Sequence, residues 1–315
     1  MKKTRASKTV VLTALLLALA MIGSSALYAA GGGKSFKVGL VVPTLNIFYN
    51  PLADAVVKAV KAAGGTAIVT DAEQYKVAKE LANVENLLQQ KIDVLIIDAS
   101  DKVASSPAVE AANKAGVPVI GLNNETASGN FITVVASDNY KAGKLAAEFV
   151  MDQIGHKGNI AIIDGPPVPA VIDRIQAYKD TVFANKDTRI VALQLMGNTL
   201  AEGVSVAENI LQANPNLDGF LCMNDFAFLG AYNAVQDAGK LGQIAIGSVD
   251  AAPDAVKLLA EGRAPKCATA AQFPSEIGNG AVQAYLDYRD GKKVAKRIYV
   301  KVELITKENA EGFHW

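Results

Sequence analysis

The stretch KVGLVVPTLN, residues 37–46, is an apolar run that stops at a polar residue, and nine further stretches share its design. In the first half they are TAIVTDAEQ (66–74), DVLIIDASD (93–101), VPVIGLNNE (117–125) and ITVVASDN (132–139). In the second half they are NIAIIDGPP (159–167), RIVALQLMGN (189–198), GFLCMNDF (219–226), IAIGSVDAA (244–252) and CATAAQFPS (267–275). Amphipathic segments separate them. Leu52, Val56, Ala59, Val60 and Ala63 recur at helical spacing before Gly64-Gly65, and Val77, Leu81, Val84 and Leu88 form a second stripe. Strands that are apolar on both faces belong to parallel sheets covered by helices on both sides. The expected fold is therefore α/β, with two doubly wound parallel sheets. Ligands of such sheets bind beyond the carboxyl ends of the strands, so the polar residues that close the runs mark a candidate site.

At 315 residues the chain is long enough for two cores, and at 50% hydrophobic and 20% charged residues it is globular in composition. Its formal net charge is zero, from 31 bases and 31 acids. Residues 1–30 read as a cleavable export signal: Lys2, Lys3, Arg5 and Lys8 precede an apolar run from Val10 to Ile22 and then small residues. Subtracting those four bases leaves 27 against the same 31 acids, a net of −4. No basic cluster suited to phosphates stands out, which argues against nucleic acid as a partner. Export would place the protein in an oxidising periplasm, where Cys222 and Cys267 could pair. In the usual strand order, however, a strand lies between theirs, and two strand spacings of roughly 9–10 Å exceed disulfide reach. Two free buried thiols are expected.

Enzymatic chemistry finds little support. His156 and His314 have no partner at triad or metal-ligand spacing, and GGGK at Gly31 precedes the first strand, where it cannot cradle a phosphate. Asp98 and Asp250 could form a carboxylate pair, but acids also accept hydrogen bonds from hydroxyls. No catalytic residue, metal or cofactor is expected. The strand-end set comprises Asn46, Phe48, Tyr49, Asp98, Asn123, Asn124, Asn198, Asn224, Asp250 and Gln272. Amides both donate and accept, as hydroxyls do, and aromatic faces suit the C–H surface of a sugar or polyol.

At these residues the chain resembles the periplasmic solute-binding proteins of the ribose-binding type. The likeness runs through nearly everything after the leader, notably VGLVVPTLNIFYNPLADAV, VASDNYKAGKLAAEFV, GFLCMNDFAFLGAYNAVQDAGK, IGSVDAAPDAV and ATAAQFPSEIGNGAV. It implies two Rossmann-like lobes joined by a three-stranded hinge, with crossovers near Ser137, Gln272 and Val302 and the ligand in the cleft between the lobes. The lobes would span 35–137 plus 273–302 and 138–272 plus 303–315. It also implies closure on a small ligand and delivery to a membrane ABC permease; a ligand-presenting receptor for a chemotaxis or signalling protein is the alternative. Action as a monomer is expected.

Carried over by position, Asn46, Phe48 and Tyr49 form the aromatic and amide edge, Asp98 the polar group after the third strand, and Asn224, Asp250 and Gln272 the contacts of the second lobe. The chain departs from the pattern in three places. Asn123-Asn124 stands where an Asp-Arg pair is usual, the sugar-clamping arginine falls on Ile172 with Arg174 two residues on, and an aromatic position falls on Asn198. Losing charge-assisted bonds, each worth on the order of 1.5–3 kcal/mol, disfavours an ordinary pyranose. A polyol or modified sugar is the expected ligand in preference to ribose. An anion is disfavoured by Asp98 and Asp250 and by a scarcity of cations.

Overall fold

The computed structural model describes residues 35–314; the expected leader over 1–30 lies outside them. The first lobe is built on strands β1 (Lys37–Val42), β2 (Thr66–Asp71), β3 (Val94–Ile97), β4 (Val119–Leu122) and β5 (Thr133–Ser137). They alternate with helices α1 (Tyr49–Ala62), α2 (Val77–Gln89) and α3 (Ser106–Lys114). The second lobe repeats the plan. Its strands are β6 (Gly158–Asp164), β7 (Thr188–Leu195), β8 (Gly219–Cys222), β9 (Ala245–Asp250) and β10 (Cys267–Ala271). Its helices are α4 (Asn139–Gln153), α5 (Pro169–Phe183), α6 (Leu200–Ala213), α7 (Asp225–Asp237) and α8 (Pro253–Ala260). A helix α9 (Pro274–Arg289) and two short strands, β11 (Arg297–Val300) and β12 (Glu303–Ile305), complete the described chain.

The sheet orders are β11-β5-β4-β3-β1-β2 and β12-β10-β9-β8-β6-β7, parallel throughout except where β12 runs against β10. Side-chain alternation shows why the strands are apolar on both faces. Val38, Leu40, Val94 and Ile96 pack with α1 and α9, whereas Val41, Leu95 and Ile97 pack with residues of α2 and α3. The second lobe has its own core around Ile160, Ile162, Tyr178, Phe220, Phe228 and Ile246. On α2 the buried face is Glu80, Val84 and Leu87, rotated from the stripe that spacing suggested, with Leu81 and Leu88 half-buried. Glu80 goes inward because its carboxylate accepts the Ser100 N–H at 2.7 Å.

The chain passes between the sheets three times. It leaves β5 for α4, which packs on β9 and β10; it leaves β10 for α9, which packs on α1 and β5; and it passes from β11 to β12 through Lys301-Val302. The extended stretch 297–305 is thus two strands on two sheets. Cys222 on β8 and Cys267 on β10 are free and buried, with β9 between their strands. No helix among the described residues is long and apolar enough to cross a membrane.

Candidate functional site

The carboxyl ends of both sheets face one cavity of about 80 Å3, walled by both lobes. At roughly 10–15 Å3 per water, a space of this size has room for about half a dozen water molecules. Nine of the ten residues singled out in the sequence line it, Asp98 being the exception.

On the first lobe, Asn46 follows β1, and its Oδ1 accepts the N–H groups of Phe48 and Tyr49 at 2.9 and 3.0 Å. This ties down the entrance to α1 and fixes the two rings, which meet edge to face at 5.1 Å. Asp98 lies one layer behind the wall, fully buried. It accepts from Asn124 Nδ2 at 2.6 Å and Asn123 Nδ2 at 3.3 Å, and the Tyr49 hydroxyl is its third partner. Burial pushes its carboxyl up to about 8 against the lowering pull of those three bonds. Burial, and then the Asp98 charge, holds the Tyr49 hydroxyl well above its usual range. Asp98 therefore shapes the wall from behind it.

Asn124 joins the lobes. While its Nδ2 is held by Asp98, its Oδ1 accepts the N–H of Ala170 at 2.9 Å, in the first turn of α5. That helix has no side-chain cap from its own N-cap residue, Val168. An amide from the first lobe thus satisfies a buried helix-end donor of the second that has no partner within its own helix.

On the second lobe, α5 presents Ala170, Val171 and Arg174 to the cavity on one face. Arg174 is 6% exposed, whereas Ile172, on which the clamping arginine of the resemblance falls, is 43% exposed on the far side of the helix. The expectation of few cations needs correcting to that extent: a guanidinium is in the wall. Its Nε donates to Asn139 Oδ1 at 2.9 Å and its Nη1 to the Met223 carbonyl at 2.8 Å, and Nη1 lies 3.6 Å from Asp250 Oδ1. Gly143 of α4 permits this placement, since a Cβ there would come within 2.8 Å of the Arg174 carbonyl oxygen.

Asp250 ends β9 with φ 132°, followed by Ala251 at 58°, and accepts from Gln272 Nε2 at 2.7 Å. Asp225 is anchored more fully, accepting from Ser248 Oγ at 2.7 Å, Thr269 Oγ1 at 2.8 Å and the Ala252 N–H at 2.6 Å. Burial raises both acids; Arg174 pulls Asp250 down, and the Asp250 charge pushes Asp225 further up. Asn224 caps α7, accepting the Ala227 N–H at 3.2 Å, and its Nδ2 donates to Asn198 Oδ1 at 2.7 Å. Asn198 in turn donates to the Tyr75 hydroxyl of the first lobe at 3.3 Å.

Two acceptors complete the chemistry. Asn123 Oδ1 and Gln272 Oε1 are buried without a hydrogen-bond partner, and both residues line the cavity. Their orientation is dictated, because each NH2 group already faces a carboxylate, Asp98 or Asp250. The wall also includes apolar surface from Val168, Val171, Met223, Phe226 and Leu229. Among the described residues no group of three or more His, Cys, Asp or Glu is placed to hold a metal ion.

The sequence reading missed Tyr75 and Arg174 as wall residues. Tyr75 follows β2, and the rule that marked the other strand ends could have found it. Arg174 sits inside a helix, where only the resemblance pointed near it.

A two-lobed α/β protein with its polar groups gathered at facing strand ends is built to enclose a small molecule. The periplasmic binding protein domain matches residues 38–293, and the chain belongs to that family. It is 35% identical to the ribose import binding protein RbsB of Bacillus subtilis (strain 168) over 281 residues, covering 89% of this chain and 90% of that one. Among solved structures, an ABC transporter periplasmic solute-binding protein of Actinobacillus succinogenes 130z with bound D-allose superimposes with a TM-score of 0.81 at 28% identity. It is matched over 89% of this chain and all of that one. A solute-binding protein of Bacillus halodurans C-125 with bound myo-inositol gives a TM-score of 0.81 at 27% identity, over 89% of this chain and 98% of that one.

Proposed function

We propose that this protein is the ligand-capturing component of an ABC importer for a small neutral polyol or modified sugar. The observation that carries the reading is the gathering of Asn46, Asn123, Asn124, Asn198, Asn224 and Gln272 with the Phe48 and Tyr49 rings around one cavity between the lobes. Amides donate to and accept from hydroxyls, which suits a ligand that carries several of them. Arg174 adds a fixed donor group, and the Phe48 and Tyr49 rings add apolar faces. With Asp225, Asp250 and Asp254 in the same wall against one guanidinium, an anionic ligand is disfavoured. Relatives that import ribose or hold D-allose or myo-inositol support the ligand class.

In this reading the segment 1–30 directs export to the periplasm. The lobes 35–137 plus 273–302 and 138–272 plus 303–315 close about the three crossovers, and a membrane permease receives the closed form. Ligand favours closure only through its greater affinity for the closed state. The receptor alternative draws on no particular feature of the site.

A thermal-shift screen of polyols, pentoses, hexoses and sugar derivatives, followed by calorimetry, tests the proposal. A polyol or modified sugar should raise the melting temperature by mass action and bind more tightly than ribose. A screen in which none of these compounds binds would refute it.

A further inference from the structure

The segment after β2 has an unusual backbone. Glu73, Gln74 and Tyr75 carry φ values of 47°, 65° and 63°, three successive residues with side chains in a region that disfavours a Cβ. The segment is held there by its neighbours: the Tyr75 N–H donates to the Pro43 carbonyl at 3.0 Å and the Lys76 N–H to the Ala72 carbonyl at 2.9 Å. This conformation delivers the Tyr75 ring to the cleft.

Tyr75 lines two spaces. Beyond the inner cavity is an outer groove of about 480 Å3, which also touches Gln74, Thr199, Leu200 and Glu202. Five residues line both: Asn46, Tyr75, Pro166, Asn198 and Phe226. Tyr75 is bonded on both sides of the cleft, to the Tyr49 hydroxyl within its own lobe and to Asn198 Nδ2 of the other. Asn198 is held in turn by Asn224 Nδ2.

We propose that Tyr75 is the specificity-determining partition of the cleft: its ring separates the inner cavity from the outer groove and limits the ligand to what the inner cavity accommodates. The inference rests on the proposed ligand-capturing role and deepens it by assigning the size limit to one side chain. Removing the ring joins the two spaces; removing only the hydroxyl keeps the partition and loosens its attachment to the second lobe.

The test is calorimetry of wild type, Tyr75→Ala and Tyr75→Phe with ribitol, D-allose, myo-inositol and the larger maltitol, with circular dichroism to verify folding. For Tyr75→Ala, the tightest small probe should weaken and maltitol should gain about tenfold or more relative to it, in line with the selectivity that pocket shape provides. Tyr75→Phe should weaken the small probes while keeping them ahead of maltitol. An unchanged size order in Tyr75→Ala overturns the partition while leaving the functional reading intact. If none of the four binds wild type, the tightest ligand of the wider screen takes their place and the same comparison of size order decides the partition; a wider screen without any ligand overturns both readings.

Discussion

The two walls of the cleft solve the same problem with different chemistry. The first lobe offers amides and rings, Asn46, Phe48, Tyr49, Asn123 and Asn124, supported from behind by the single carboxyl of Asp98. The second lobe offers a guanidinium and two acids, with Arg174 beside Asp250, and Asp225 held by three donors. A buried ion that loses its partners costs more than a neutral amide that does. The second wall should accordingly behave as a rigid anchor integral to its lobe's stability. The first should behave as an adjustable surface whose substitutions act mainly on closure and ligand affinity.

Asp225→Ala should show the difference most strongly. It leaves the Ser248 and Thr269 hydroxyls and the Ala252 N–H without their acceptor. A stability loss of about 3–5 kcal/mol is expected in urea denaturation; a loss under about 1 kcal/mol would end the description of this wall as an anchor. Arg174→Met comes next. It removes the guanidinium beside Asp250 and should weaken the ligand found in the screen about 100-fold, or roughly 3 kcal/mol, by calorimetry. Affinity within a factor of about two of wild type would show that the guanidinium serves only the fold.

On the first wall, Asn124→Ala cuts the link between Asp98 and Ala170. Affinity should fall about tenfold, with about 1 kcal/mol of stability lost from the uncapped helix. If stability falls as far as in Asp225→Ala, the contrast between the walls is lost.

The pH response sharpens the same comparison. Asp98, Asp225 and Asp250 are all raised by burial, so the folded chain retains protons that the unfolded chain releases. Their contribution is fully present below about pH 4 and is lost as pH rises, for Asp98 through its value of about 8. The melting temperature should therefore decline between about pH 5 and pH 8, and Asp98→Asn should flatten part of that slope. A melting temperature that climbs over this range contradicts the assignment. The smallest effect is expected for Asn46→Ala, about 1 kcal/mol of stability through loss of the bonds to Phe48 and Tyr49, measured by thermal melting.

Much of this was legible in the residues. Alternating apolar runs and helical stripes indicated two doubly wound sheets, because strands covered on both faces must be apolar throughout. Positions beyond strand ends were legible too: Asn123, Asn224, Asp250 and Gln272 reach the cavity because parallel strands all deliver their carboxyl ends to one edge. The one-dimensional reading was weaker on depth. Asp98 occupies a strand end like the others, yet Asn123, Asn124 and Tyr49 cover it. It also could not orient helices. Glu80 is an acid on a stripe-bearing helix, and the Ser100 N–H and the Ser105 side chain draw it inward.

By itself, then, the sequence determined the strand and helix succession and the edge where polar groups collect, since these depend on local periodicity and strand polarity. Packing in three dimensions settled that Arg174 and not Ile172 faces the cavity, that Asn124 bonds across the lobes, and that Tyr75 lines both cavity and groove. Those outcomes depend on the rotation and approach of elements distant in the chain, such as α4 against α5 at Gly143, which no local pattern of residues encodes.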